Sequence, residues 1–154
     1  MRKLSLLLFG FCFITCAPLS IVQINQVSRD IQLSEQKDKL YVRANNWLVE
    51  NFDSAKSVVQ FRDKEEGIIT GRYLLKTLGE YTTYGDSRNY VYSIIKLQVK
   101  DGAARITIDP EDYETNTSKF SKEQYVYDKD QATIEINELI TGFEYYMKNH
   151  IDSF

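Results

Sequence analysis

The stretch IIKLQVKDGAARITID, from Ile94 to Asp109, constrains this chain more than any other. Two runs of alternating apolar and polar residues flank Asp101-Gly102, the pattern of a hairpin closed by a two-residue turn. That turn length fixes the register. Val99 faces Ala104, Leu97 faces Ile106 and Ile95 faces Ile108 on one side, while Gln98 faces Arg105 and Lys96 faces Thr107 on the other. A slip of one residue would turn every aliphatic side chain onto the polar face, so turn chemistry and hydrophobic pattern specify the same pairing. Burying Leu or Ile contributes ~1.5–3 kcal/mol, whereas burying an unpaired Lys or Arg costs several. The aliphatic face therefore belongs against the rest of the protein. Leu97, Val99, Ile106 and Ile108 should lie under helices, with Trp47 and Phe143 among the covering side chains.

Upstream, VSRDIQLS alternates with Val27, Ile31 and Leu33 on one side and Arg29 as the exception on that side, a half-buried strand that IVQIN before it extends. Ser34 is placed to cap a helix whose stripe is Leu40, Ala44, Trp47, Leu48 and Phe52. Lys37, Asp38, Arg43, Asn45 and Glu50 fill its other faces, and Trp47 reads as a core anchor. KSVVQFRDKEEGIITGRYLLKTL reads as a hairpin with Phe61 opposite Ile69, a turn over Lys64–Glu66 and a bulge at Gly67. A polar loop, GEYTTYGDSRN, leads into the Ile94–Asp109 hairpin, and a long polar crossing follows it. Ile136, Leu139, Ile140, Phe143 and Met147 then form the stripe of a second helix, in which Gly142 marks close packing against the sheet. The order is strand, helix, four strands, helix. It predicts an α+β domain: an antiparallel sheet of about five strands, both helices on one face, the other face open. The length suits one such domain, large enough to need no disulfide or metal staple.

The first residues follow another logic. Arg2 and Lys3 precede an apolar run, Leu4 to Ile14, too short to span a bilayer. Residues 1–16 are expected to be a signal peptide and 17–154 the single folded domain. Two readings of the cleavage site stand. Cys16 in FITCA is the lipidated first residue of a bacterial lipoprotein, although Thr15 and Phe13 depart from that motif, or Cys16 falls inside a discarded secretory leader. Cys12 and Cys16 are the only cysteines. The body therefore holds no disulfide, thiolate metal site or cysteine nucleophile. Net charge is −3 with 19 basic and 22 acidic residues, which argues against a nucleic-acid partner.

Three stretches, LSEQKDKLYVRANNWLVENF, VVQFRDKEEGIITGRY and YSIIKLQVKDGAARITI, resemble domain of unknown function 4468, a family described as having a TBP-like fold and found mostly in exported proteins of Bacteroidetes-type Gram-negative bacteria. The resemblance spans Val22 to Asn149. Its most specific pieces are the helix around Leu40 and Trp47, the Glu66-Gly67-Ile68 turn, and Lys100-Asp101-Gly102 followed by Arg105. It implies an α+β sheet with helices on one face, and export to the periplasm or outer membrane. It brings no activity, and fold likeness to TBP carries no DNA binding.

Chemistry-bearing residues are sparse. His150, the one histidine, sits at the expected end of the second helix, where a solvated side chain is commoner than a general base. Asp109, Glu111, Asp112 and Glu114 cluster after the hairpin. Paired carboxylates there could cleave glycosides or hold calcium, though such loops are more often simply solvated. No nucleophile-elbow, zincin, P-loop or dinucleotide motif occurs, and no metal or cofactor is expected. Asp53-Ser54-Ala55 fits a short O-glycosylation pattern. The open sheet face gathers Arg62, Thr70, Arg72, Tyr90, Tyr92, Lys96, Gln98, Arg105 and Thr107. Arg62, Arg72, Tyr92, Lys96 and Arg105 are the candidate ligand contacts, suited to an anion, a glycan or a peptide, with solvation as the plain alternative. The expected function is a non-enzymatic binding or structural module of the cell envelope, tethered if Cys16 carries lipid. The alternative is a carboxylate-dependent glycan-acting enzyme.

Overall fold

The structure is a computed structural model that describes residues 20–52, 58–79, 81–83, 85–86, 88–115 and 127–150. The leader, both cysteines and the Asp53-Ser54-Ala55 pattern lie outside the described residues. Among the described residues, β1 (Ser20–Val22) and β2 (Val27–Gln32) precede helix α1 (Lys37–Asn51). Next come β3 (Val59–Asp63), β4 (Ile68–Leu78), the short β5 (Tyr81–Thr82) and β6 (Gly85–Asp86), then β7 (Asn89–Lys100), β8 (Ala103–Pro110) and β9 (Tyr113–Thr115). Helix α2 (Lys129–Asn149) ends the series. Five strands form the antiparallel sheet in the order β2-β8-β7-β4-β3, while β1 pairs with β9 and β5 with β6 in two small ribbons. IVQIN therefore does not extend β2. Ile21 pairs with Glu114 instead.

The β7–β8 register is the one the Asp-Gly turn dictates. Ile95 pairs with Ile108, Leu97 with Ile106 and Val99 with Ala104, while Lys96 pairs with Thr107 and Gln98 with Arg105. Leu97, Val99, Ile106 and Ile108 are buried. Above them Trp47 of α1 meets Phe143 of α2 edge to face, ring centroids 4.9 Å apart, a geometry aromatic pairs prefer. Ala132, Ile136, Ile140, Phe143 and Met147 line the buried stripe of α2, with Leu139 at its margin. The Asp128 carboxylate caps that helix by accepting the Gln131 N–H at 2.8 Å.

Helix α1 is capped from a distance. Ser34 does not cap it. The helix begins at Lys37, and the Lys37 N–H donates to Oδ1 of Asp101 at 2.7 Å. The same turn binds the preceding loop, because Gly102 N–H donates to Glu35 O and Leu33 N–H to Gly102 O. Gly102 has φ +73°, which suits glycine in this turn.

Several charged side chains lie on the helix side. Arg29, the exception in the β2 pattern, reaches Thr141 Oγ1 at 3.1 Å and Glu144 at 3.2 Å, both on α2. Arg43 is buried rather than solvated. Its guanidinium donates to Glu35 at 2.9 Å and to the Met147 carbonyl at 2.6 Å, pinning α1 to the end of α2. Lys76 similarly ties β4 to α2 through Glu135 at 2.6 Å, and Glu135 also accepts from the buried Tyr127 hydroxyl.

The β3–β4 register differs from expectation by one residue. Phe61 pairs with Thr70 and Arg62 with Ile69. Gly67 belongs to the turn rather than to a bulge. Its N–H reaches Lys64 O, its carbonyl accepts from Val99 N–H at 2.8 Å, and Asp63 Oδ1 accepts the Glu66 N–H. The bulge lies instead between Val59 and Phe61. The slip exchanges the two faces of the strand. Phe61 is exposed, and Arg62 is removed from the open face to the helix side, where it donates to Asn45 of α1 at 3.0 Å.

Gly142 is exposed, not packed on the sheet, and a Cβ there would meet nothing within 4 Å. At Gly67, with φ +68°, a Cβ would lie 2.3 Å from Val99 O. The two glycines should respond oppositely to alanine. Gly67→Ala is expected to cost about 1–3 kcal/mol, whereas Gly142→Ala should stabilise by up to about 1 kcal/mol. Urea denaturation midpoints measure both.

Candidate functional site

The sheet face away from the helices is formed by alternate residues of four strands, with Phe61 on the fifth. β2 contributes Ser28 and Asp30, β8 contributes Arg105 and Thr107, β7 contributes Tyr92, Ile94, Lys96 and Gln98, and β4 contributes Thr70, Arg72 and Leu74. Arg72, Tyr92, Lys96 and Arg105 thus share one face as expected.

They do not gather at one point. Arg72 pairs with Ile94, and Arg105 with Gln98. Four residues along β7 and two strand spacings separate the arginines by roughly 16 Å. Each is already engaged. Arg105 makes a two-pronged ion pair with Asp30 directly opposite on β2, at 2.5 and 2.9 Å. Beside it Ser28 and Thr107 join through their hydroxyls at 2.9 Å. At the other end Arg72 lies over the Tyr92 ring, 3.6 Å from its centroid, and reaches past it to Glu111 at 2.5 and 2.8 Å. The Glu111 N–H donates to Tyr92 O, which fixes the carboxylate beyond β7. Tyr90 follows Tyr92 at a centroid distance of 6.4 Å, and Arg88 stands over Tyr90 at 5.9 Å. Lys96, central on the face, has no ion pair among the described residues. Near the Asp101-Gly102 turn a concavity of about 360 Å³ is lined by Asp30, Gln32, Glu66, Gln98, Lys100 and Arg105, among others.

The ion pairs set the electrostatics. Hydrogen bonding from Arg72 holds the Glu111 carboxyl below the usual glutamate range, and hydrogen bonding from Arg105 does the same for Asp30. Both guanidinium pKa values rise in return. Sequence reasoning missed both partners. Asp30 stood on the polar side of its strand, but nothing in the order of residues announced that β2 pairs with β8. Glu111 was visible only as one member of an acidic cluster.

That cluster is dispersed in role. Asp109 is exposed, Glu111 is held by Arg72, and Asp112 accepts from Gln23 at 3.0 Å. The side chain of Glu114 is outside the description. A general acid needs a raised pKa, and Arg72 drives Glu111 the other way. Among the described residues no three His, Cys, Asp or Glu side chains are grouped to hold a metal ion. His150 caps α2 and stacks on Tyr146, centroids 4.4 Å apart. Burial pushes the Tyr73 hydroxyl up to about 12 on the helix side, opposite Ser93.

A model of the family described as a domain of unknown function (DUF4468) with TBP-like fold matches residues 28–114. A TBP-like protein from Parabacteroides distasonis is similar in structure, with a TM-score of 0.57 at 11% identity, covering 80% of this chain and 92% of that one. A DUF4468 family protein from Bacteroides ovatus aligns at 16% identity with a TM-score of 0.46, covering 77% and 85%. None of the curated proteins compared with the chain matches it.

The lowered Glu111 carboxyl has a consequence for pH. A group whose folded pKa is depressed stabilises the fold above its unfolded value and loses that contribution as pH falls through the folded one. Acidification should therefore release Arg72 only below the ordinary glutamate value of 4.5. The Glu111 side-chain carboxyl resonance, followed by NMR, should titrate below that value and move up towards it in Arg72→Ala.

Proposed function

The chain belongs to the DUF4468 family of domains with a TBP-like fold, and on that premise we propose that it is a non-enzymatic binding module, exported and held at the envelope of a Gram-negative bacterium, which takes its partner on the open face of the sheet. The observation that carries the binding role is the make-up of that face. A merely solvated antiparallel face is polar. This one exposes Phe61, Leu74 and Tyr90 at 53%, 47% and 42%, beside the paired arginines and the free Lys96. Export and tethering are supported by Arg2 and Lys3 ahead of the short apolar run and by Cys16 at its end. Among the described residues no helix is long and apolar enough to cross a membrane; the attachment proposed is lipid at Cys16.

The address is tested by Cys16→Ala in the producing cell. The variant should move from the membrane to the soluble fraction, and mass spectrometry of the wild type should find a diacylglyceryl group at Cys16. A mature chain that starts beyond Cys16 would overturn the tether. The binding role is tested on the mature domain by NMR against envelope glycans and peptides, where shifts should fall on β4 and β7. Turnover in a broad hydrolase screen, lost on substitution of Asp109 or Asp112, would overturn the non-enzymatic reading.

A further inference from the structure

Resting on the open-face reading, we propose that the end of that face built by Tyr90, Tyr92, Arg72 and Glu111 is a binding strip for uncharged oligosaccharides. The four side chains form one layered array. Arg72 covers Tyr92 at 3.6 Å and is clamped by Glu111, while Tyr90 continues the strip 6.4 Å away. The outer layer is therefore the half-exposed Tyr90 ring, with Arg88 over it at 5.9 Å, and the flat guanidinium of Arg72, with exposed Leu74 opposite Tyr92. A pyranose matches such a layer. Its C–H face packs on rings and guanidinium planes, and its hydroxyls project from the rim as both donors and acceptors.

The polar pair suits those hydroxyls because neither member is exhausted. After two bonds to each other, the guanidinium keeps further N–H donors and the carboxylate keeps lone pairs. Donors and acceptors thus lie side by side in one fixed plane. The same pairing argues against an anion. At Arg72 and Arg105 a carboxylate, sulfate or phosphate would meet a guanidinium already neutralised by a two-pronged carboxylate, so an anion would be drawn instead to Lys96, outside this strip. An added peptide strand is equally disfavoured, since β4 and β7 are interior strands with neighbours on both sides and no free backbone edge.

The mature domain titrated calorimetrically with maltohexaose, cellohexaose and xylohexaose tests this, with oligogalacturonate as the anionic comparison. At least one neutral sugar should bind, with affinity unchanged by added salt. Tyr90→Ala should weaken it about tenfold or more, Tyr90→Phe should restore it, and Tyr145→Ala, which removes an exposed ring on α2, should leave it alone. Thermal melts of each variant confirm that the fold is retained. Failure of all three neutral sugars to bind, or equal binding by Tyr90→Ala, overturns the proposal. Salt-sensitive binding of oligogalacturonate that is lost in Lys96→Glu but kept in Tyr90→Ala also overturns it, yet leaves the open face as a binding surface. Perturbations mapping to the helix side of the sheet for every ligand would remove the open-face reading itself.

Discussion

The bond from the Lys37 N–H to the Asp101 carboxylate is the contact on which the rest of the arrangement turns. It joins the start of α1 to the tip of the β7–β8 hairpin. A helix N-terminus carries partial positive charge and free N–H groups, so a carboxylate there is stabilised twice, by hydrogen bond and by dipole. With Gly102 binding Glu35 and Leu33 across the same tip, α1 is held over β7 and β8 on the aliphatic side. Trp47 can then meet Phe143 above Leu97 and Ile106. Both helices are committed to one face, and the other face is left uncovered.

The uncovered face is electrically quiet at Arg72 and Arg105. Each of these two is answered by a carboxylate from another strand or strand end, Asp30 for Arg105 and Glu111 for Arg72, while Lys96 has no ion pair among the described residues. Exposed pairs of this kind add little to stability. Their effect is on shape. They hold long side chains flat and in place, and one of them fixes a guanidinium over Tyr92. What remains for a partner is a surface of two neutralised guanidiniums, the unpaired Lys96 and exposed rings.

The β7–β8 hairpin and the stripes of both helices were legible in the sequence because each is local: a turn of fixed length, a period of two, a period near four. Arg29 and Arg43 were not, since their partners Glu144 and Met147 lie more than a hundred residues away. The distant cap was invisible for the same reason. Ser34 looked suitable by position, and Asp101 was already explained by its turn. The β3–β4 slip shows a subtler loss. Gly67 fits either a bulge or a turn by its positive φ, and only its contact with Val99 on a third strand decides between them. Of the candidate site, the shared face of Arg72, Tyr92, Lys96 and Arg105 followed from alternation, while their separation and their pairing required the sheet order.

That order also ranks the closures the chain must make as it folds. β3, β4, β7 and β8 follow one another as neighbours in the sheet, so three of its four pairings join consecutive segments. The fourth, β2 to β8, joins residues as far apart as Ser28 and Thr107, separated by 79 positions. Loop-closure entropy rises with the length closed, and contacts distant in sequence slow folding. The meander from β3 to β8 can assemble from nearby pieces. β2 is left to dock along its far edge, bringing α1 with it, and the Asp101 contact stands where that distant segment is received.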